Sequence, residues 1–385
     1  MASTFEFWLC NDSGQRIYLF RNIAYCSYSR STIGYGSFQI GLPYDFYIKE
    51  NVNFFRPDWR VDVWRSPGTG IPTRREGSFL LRKFQVYTRT TDNMRMVEFF
   101  GRSPLDILRR QHYKGTADLT DNIDDLMKAV VRAQFVTTPS AYSTAPTTGA
   151  YTYTGEFACD ADAGDGPSVT DNFYLKNVLD ICTDLHKSSL SLNTLLSTNK
   201  RIYFDVVEDD GIGLAGGFGY RFRTFPVRRG GDRTSGIVFS EENGNLSNPS
   251  YFEDYLNEWT SVFKYNSSQS WASQNAQNAD EQYLSRWNYI EKAETTGDEA
   301  AASALNDVYA TLRDGAAKVI FNAEFMNSPG SSSLPRSLYG VDWDLGDLLP
   351  VNFAGKVLST EVAICYISVN EKGEEKITGK TQVGV

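Results

Sequence analysis

Histidine is almost missing from this chain: 385 residues contain only His112 and His186. Neither is flanked by a recognisable Ser or Cys motif, so nucleophilic catalysis with an imidazole base has little to work with. Both read as surface or helix-end histidines. The five cysteines, Cys10, Cys26, Cys159, Cys182 and Cys365, are odd in number and include no CxxC pair, so buried free thiols are expected. No stretch approaches the ~20 apolar residues of a membrane span, and the N-terminus lacks a basic segment followed by a long apolar run. A soluble protein without a signal peptide is expected. Positive charge is also short, 38 Lys and Arg against 47 Asp and Glu, for a net charge of -9. Tight nucleic-acid binding needs clustered cations that displace counterions, and this balance gives no ground for it.

What the chain does have is aromatic surface. Hydrophobic residues make up 41% and aromatics 14%, with 22 Tyr and 24 Phe, enough for more than one core and weighted toward pleated structure. Residues 1–100 read as consecutive strands at 4–11, 16–28, 36–43, 44–54, 59–66, 77–88 and 94–101, separated by turn signals such as Asp12-Ser13-Gly14 and Ser66-Pro67-Gly68. Short strands with tight turns fit a small antiparallel barrel or sandwich. In the strand at 59–64, Trp59, Val61 and Val63 form an apolar face opposite Arg60, Asp62 and Trp64.

The chain changes character across 94–135. Met94, Met96, Glu98 and Phe100 alternate with Arg95, Val97 and Phe99, as in a strand. At Gly101 the pattern breaks: Ser103 suits a helix cap, Pro104 the first helical position, and Leu105, Ile107 and Leu108 an apolar face. Asp121 or Thr120 then caps a second helix carrying Ile123, Leu126, Val130 and Phe135. A Ser/Thr/Ala/Gly/Pro-rich excursion at 137–171 reads as a long surface loop. A helix follows at 168–187, then strands at 201–208 and 217–225, forming an α+β unit. Residues 236–246 read as strand-like again, as does 259–265. A polar Ser/Gln/Asn stretch at 266–280 precedes a helix predicted over 298–321, with Ala301, Leu305, Val308, Leu312 and Ala316 on one stripe. Strands at 348–353, 356–369 and 374–381 close the chain.

Several constellations invite chemistry. Gly211, Gly213 and Gly216 match the dinucleotide fingerprint, but the alternating Phe218, Tyr220 and Phe222 that follow look like a strand, and the motif needs a helix start; a turn is the better reading. Asp160, Asp162 and Asp165 resemble a calcium loop without its register or closing Glu, so an acidic surface loop is preferred. Asp342, Asp344 and Asp347, or Glu241 and Glu242, would supply paired carboxylates for glycoside hydrolysis, yet such pairs are common on acidic surfaces. Arg74, Arg75, Arg82, Arg109 and Arg110 read first as solvated charge and second as subunit ion pairs. Tyr151, Tyr153 and Trp271 are candidates for partner or sugar contact, although most aromatics in so β-rich a chain are core. No catalytic residue, metal site or cofactor is expected.

The order of a strand-rich unit, FFGRSPLDILRRQ, a second helix, a mixed unit ending in GYRFRTFPVRRGGDRT, IVFSEENGNL, and WDLGDLLPVNF resembles the siphovirus tail-tip hub family, which is similar to the central baseplate hub of contractile tails. The matching positions are Gly101, Leu105 and Leu108, Gly244 and Asn245, and the turn Leu345, Gly346, Asp347, all candidates for family-motif or interface roles. The segments at 137–171 and 266–280 are longer than the family pattern. The resemblance implies a β-rich α+β chain with two small antiparallel, tube-lining β-barrels: residues 1–116, and 233–265 plus 335–385. Between them would lie an α+β domain at 117–232 and a helical insertion at 266–334.

It further implies a structural virion protein at the distal tip of a tail, with no enzymatic activity and no cofactor. A homotrimer would place six barrels around a tube. Its partners would be the distal tail or tube ring, the tape-measure protein, a tail fibre or spike, and viral DNA in transit. The competing readings are a carbohydrate-binding or carbohydrate-cleaving protein of the virion surface, and the hub of a contractile injection system.

Overall fold

The computed structural model describes residues 3–50, 55–68, 70–136, 156–196, 201–211, 218–265, 271–277, 289–295, 308, 311–312, 315 and 318–382. The N-terminal part forms β1 (Thr4–Cys10), β2 (Arg16–Leu19), β3 (Tyr25–Ser31), β4 (Ser37–Pro43), the helix α1 (Tyr44–Glu50), β5 (Arg60–Ser66), β6 (Arg74–Thr88) and β7 (Arg95–Arg102). A 3-10 helix (Pro104–Arg110), β8 (Leu119–Asn122), α2 (Ile123–Val131), a π-helical turn (Arg132–Val136), β9 (Phe157–Cys159), β10 (Ser168–Asp171), α3 (Val178–Leu196), β11 (Ile202–Asp209) and β12 (Gly219–Pro226) make the middle unit. The remainder is β13 (Leu246–Asp254), β14 (Ser261–Tyr265), β15 (Trp271–Gln277), β16 (Glu291–Thr295), β17 (Lys318–Met326), β18 (Leu348–Phe353), β19 (Lys356–Asn370) and β20 (Glu375–Gln382).

Strands from both ends of the chain form one 12-stranded sheet in the order β13-β17-β20-β19-β3-β4-β7-β6-β5-β1-β2, with β18 also on β19. This path is open, running from β13 to β2, where the sequence led us to expect two closed barrels. The two halves are joined because β19 pairs with β3, from Ile364 against Ser31 to Asn370 against Tyr25. One apolar core runs under the joined sheet, from Phe7, Leu9 and Ile40 on the N-terminal side to Phe325, Trp343, Leu349 and Ile377 on the other. A second core holds the middle unit together: Leu105 and Leu108 of the 3-10 helix, Ile123 and Val130 of α2, Cys182 of α3, Ile202 of β11 and Phe222 of β12.

The sheet contains the same arrangement twice. The run β3-β4-β7-β6 repeats as β13-β17-β20-β19. β6 and β19 are each 15 residues long and each hairpins into an 8-residue strand. Their bulges coincide, between Leu81 and Lys83 against β7 and between Val362 and Ile364 against β20. β5 opens its pairing with Arg60 opposite Leu80, just as β18 opens with Leu348 opposite Glu361. Shared register at bulges and strand starts is the mark of one supersecondary unit used twice.

Local expectations fail where tertiary pairing competes with pattern. Residues 44–50 are helical instead of extended, because Tyr44 and Tyr47, one turn apart, both pack on the main core. The strand expected over 16–28 is two strands, broken where Asn22 takes φ +53°. Ser103 does not cap the 3-10 helix through its side chain; its hydroxyl accepts from the Gly36 amide at 2.9 Å. The helix expected from 168 starts only at Val178, after β10. Lys318–Met326, which includes the end of the predicted helix, is a strand: Phe321, Ala323 and Phe325 are buried at a period of two. Residues 236–245 are turns with a single bridge at Phe239 instead of a strand. Of the 266–280 stretch, Trp271–Gln277 is a strand, and the rest lies outside the described residues.

Candidate functional site: the 343–347 turn and its arginine network

The WDLGDLL motif makes a turn that ties the end of the chain to the segment leaving β12. Asp344 and Asp347 shape it as short polar side chains do in turns. The Leu345 amide donates to Asp344 Oδ1 at 2.7 Å and the Asp344 amide to Asp347 Oδ2 at 2.8 Å. The other oxygen of Asp347, a buried residue, accepts from the Gly231 amide at 2.6 Å, while Arg233 Nε lies 3.5 Å from Oδ2. Gly346 sits at φ +83°, where a Cβ would lie 2.7 Å from the Gly230 nitrogen and 2.9 Å from Arg229 Cβ. Its amide donates to Val362 O at 2.8 Å, so the turn is also anchored to β19. Leu345 and Trp343 point into the core, where Phe239 meets Trp343 edge-on at 6.2 Å.

From this turn Asp344 reaches into a network of three arginines and three carboxylates drawn from both ends of the chain. Arg30 of β3 lies 3.0 Å from Asp344 Oδ1 and donates to the Tyr339 hydroxyl at 2.6 Å. Arg74 of β6 bridges Asp344 at 2.8 Å and Glu76 at 2.9 Å. Arg65 of β5, whose side chain is fully buried, clasps Glu375 of β20 through Nε at 2.9 Å and Nη2 at 3.0 Å, and donates to Tyr339 O at 3.0 Å. The paired signs balance, as burial of charge requires. Burial alone would raise the Asp344 carboxyl, but Arg30 and Arg74 outweigh it and hold the pKa below the usual carboxylate range. Burial pushes the Tyr339 hydroxyl well up, so it stays protonated.

A second seam joins the middle unit to the sheet. The Tyr203 hydroxyl donates to Glu361 Oε2 at 2.7 Å, Arg229 pairs with Asp205 and donates to Ser31 O at 2.8 Å, and Arg75 lies 3.4 Å from Asp210. Burial raises the carboxyls of Asp205, Glu208 and Glu361. A polar cavity of about 170 Å³ lined by Arg30, Glu76, Asp205 and Arg229 lies along this seam, and another of about 330 Å³ lies between Asp58, Arg60, Phe218 and Tyr220.

The structure places the motif residues in four locations. Leu345, Gly346 and Asp347 meet Gly230 and Gly231 in the turn. Leu105 and Leu108 are buried in the second core. Gly101 lies in β7, where a Cβ would come within 3.0 Å of Leu80 O. Gly244, at φ +64°, closes a turn on Glu241 O, and fully buried Asn245 accepts from the Ser240 amide at 2.9 Å and donates to Val238 O at 3.2 Å.

The other constellations are drawn into the fold. Asp342 pairs with Arg336, and Asp344 and Asp347 are held as above, so this trio does not face a cleft as a catalytic pair. Asp160 pairs with Arg221 and Arg223, and Asp162 with Arg132; among the described residues no group of three or more His, Cys, Asp or Glu is placed to hold a metal. The arginines read as solvated charge are engaged within the chain: Arg74 and Arg75 as described, Arg82 with Asp58, Arg109 and Arg110 with Asp106. His186, expected at a surface, is buried inside α3, its Nδ1 2.7 Å from Ile202 O, while His112 is exposed. Four cysteines are buried and Cys159 is half-buried, all of them free thiols. Gly213, Gly216, Tyr151 and Tyr153 lie outside the described residues, as does the side chain of Trp271. The strand β12 stands where a dinucleotide motif would start its helix. Arg30, Arg65, Tyr339 and Glu375 gave no signal in sequence, since their partners lie hundreds of residues away.

No protein-family model and no curated protein matches the sequence. Solved structures do match, along the whole chain. The 43 kDa tail protein of prophage MuSo2 from Shewanella oneidensis is 9% identical, with a TM-score of 0.55, over 100% of this chain and 99% of that one. The prophage tail protein gp18 from Listeria monocytogenes EGD-e is 10% identical, with a TM-score of 0.53, over 97% and 94%. A tail protein from Neisseria meningitidis MC58 is 10% identical, with a TM-score of 0.51, over 100% and 97%. The likeness is one of fold: this chain has the β-rich α+β fold of phage and prophage tail proteins, as its sequence resemblance implied.

Proposed function

We propose that this protein is a structural component of a phage tail, a trimeric hub at the distal end. It closes the tail tube, anchors the tape-measure protein and a fibre or spike, and opens for DNA passage. The observation that carries this reading is the doubled strand unit within a chain whose whole length shares the tail-protein fold. Two units per chain let three copies present six to a six-fold tube, a match that a single unit per chain would not provide in a trimer. The tube-facing parts are the halves around 1–116 and 233–265 plus 335–385, the second completed by β17 (Lys318–Met326), with 117–232 and the rest of 266–334 set outside or between them. The motif residues act by building these parts: the Gly346-Asp347 turn fixes how the second half meets the segment after β12, and Gly244 and Asn245 fix the entry to β13. A net charge of -9 per copy suits a passage along which phosphates slide without sticking.

Light scattering across a range of concentrations tests the reading. A mass of three times 43.3 kDa is expected. A monomer at every concentration overturns it and brings glycan binding and hydrolysis assays forward.

A further inference from the structure

The larger cavity, about 330 Å³, lies where the middle unit packs on the N-terminal strands, and the hub reading makes no use of it. Its walls come from both units: Arg60 of β5 and the turn residue Asp12 on one side, Glu156, Phe218 and Tyr220 on the other. A hollow of this size between two packed units is the usual setting of a small-molecule site. Its apolar lining is Leu80 of β6 and Ile107 of the 3-10 helix, both buried within their own units yet open to this space.

Arg60 is the group here that the fold leaves unfinished. It is 3% exposed, and its Nε and Nη2 donate to Asp62 at 2.7 Å and 3.2 Å. Its guanidinium lies over the Phe218 ring, 3.3 Å from the centroid. Nη1 is buried with no hydrogen-bond partner among the described residues, and a buried donor in that state calls for an acceptor. Tyr220, its ring edge-on to Phe218 at 5.2 Å, adds a hydroxyl. Burial pushes that hydroxyl up in spite of nearby Arg60, so it stays protonated and able to donate. The carboxylates of Asp12 and Glu156 add acceptors.

We propose that this cavity binds a neutral, hydroxyl-rich ring, a monosaccharide unit. Charge argues against the other small ligands. Both guanidinium groups at the cavity are already paired, Arg60 with Asp62 and Arg110 with Asp58 and Asp106, so an anion meets two neutralised arginines and the carboxylates of Asp12 and Glu156. An ammonium is set against Arg60, whose remaining N–H needs an acceptor that an ammonium does not have. A hydroxyl both donates and accepts. A polyol therefore offers an acceptor to Arg60 Nη1 and donors to Asp12 and Glu156, while the C–H face of its ring covers Leu80, Ile107 and Phe218. This adds a binding function to the chain and does not depend on the hub reading.

Saturation-transfer NMR on the full chain tests it, with glucose, galactose and mannose as separate probes, each beside its own uronic acid. Saturation of at least one neutral sugar is expected, and its uronic acid, the same ring with a carboxylate, is expected to bind about tenfold more weakly. Tyr220→Phe removes one hydroxyl and Glu156→Gln one charge at nearly constant size, and each is expected to weaken the sugar about tenfold. Thermal melts show that the variants fold; should Tyr220→Phe not, Glu156→Gln, at a half-buried position, decides. No saturation of any of the three sugars overturns the site. An affinity unchanged in a folded variant puts the sugar elsewhere and overturns it too, as does a uronic acid or lysine amide that binds more tightly than the neutral sugars. The mass by light scattering is independent of every one of these outcomes, so failure of the sugar site and failure of the hub reading are told apart.

Discussion

The Gly230 amide donates to the Gly346 carbonyl at 3.2 Å, and a Cβ on either residue would run into the backbone of the other. Gly346 also needs φ +83°, so Ala there adds a steric clash to left-handed strain. Gly355 has φ +77° with nothing within 4 Å, so Ala there adds strain alone. Gly355→Ala is expected to cost about 1 kcal/mol and Gly346→Ala about 3 kcal/mol in urea unfolding. Equal costs would show that close approach at Gly230 is not what the glycine serves.

Arg65 is the most deeply buried cation of the network, clasping Glu375 with two nitrogens and lying 3.8 Å from Glu76. Arg65→Met strands those carboxylates, and a loss of about 3–5 kcal/mol is expected. Arg65→Lys restores the charge without the two-nitrogen grip and recovers only part of it. Because the pair is buried, the loss persists in 1 M salt; a loss that salt abolishes would place the interaction at the surface.

Asp344 carries the acid side of the pH profile. Its pKa is depressed in the folded state, since Arg30 and Arg74 outweigh its burial. The stability it contributes is thus fully present above its unfolded value of about 3.9 and is lost as pH falls through the folded value. Asp344→Asn is expected to be less stable than the parent at neutral pH, with the gap closing below about pH 4. A gap that is constant with pH would mean the carboxylate's charge is not what the arginines hold.

Glu361 has the opposite sign. Burial raises its pKa, against the bond from Tyr203, so its contribution is fully present below the unfolded value of about 4.3 and is lost as pH rises through the folded value. Glu361→Gln, which keeps an acceptor for the Tyr203 hydroxyl, removes that slope. Thermal melts between pH 4 and pH 7 are the check, and an unchanged pH profile in the variant would count against a buried, titrating Glu361.

Asn245 uses its side-chain amide to close the 238–245 turn, in a site with no exposure. Asn245→Ala leaves the Ser240 amide and the Val238 carbonyl without that partner, and about 1–3 kcal/mol of destabilisation is expected in chemical unfolding. Asn243, which also donates to Val238 O but is partly exposed, provides the comparison: Asn243→Ala should cost less.

Where one pattern governed a segment, the sequence was legible. The apolar spacing of Ile123, Leu126 and Val130 marked α2, and the alternation after 348 marked β18, β19 and β20 close to their limits. Where two patterns competed, it was not. The helical stripe ending at Ala316 runs straight into Phe321, Ala323 and Phe325, whose period of two is satisfied only because β20 and β13 flank them. The motif turns stood out because glycine at positive φ and short polar side chains are local requirements. Gly230 did not, because its requirement comes from Gly346, far along the chain.

By itself the sequence determined what depends on neighbours a few residues away: which segments alternate, where turns fall, that thiols are scattered and that the balance of charge is acidic. Tertiary structure alone decided which edges meet. A strand's pattern states which face is buried but not which strand lies beside it, so the β3–β19 junction and the Arg65–Glu375 clasp exist only once distant segments have paired. That pairing turned two expected barrels into one open sheet built from a unit used twice.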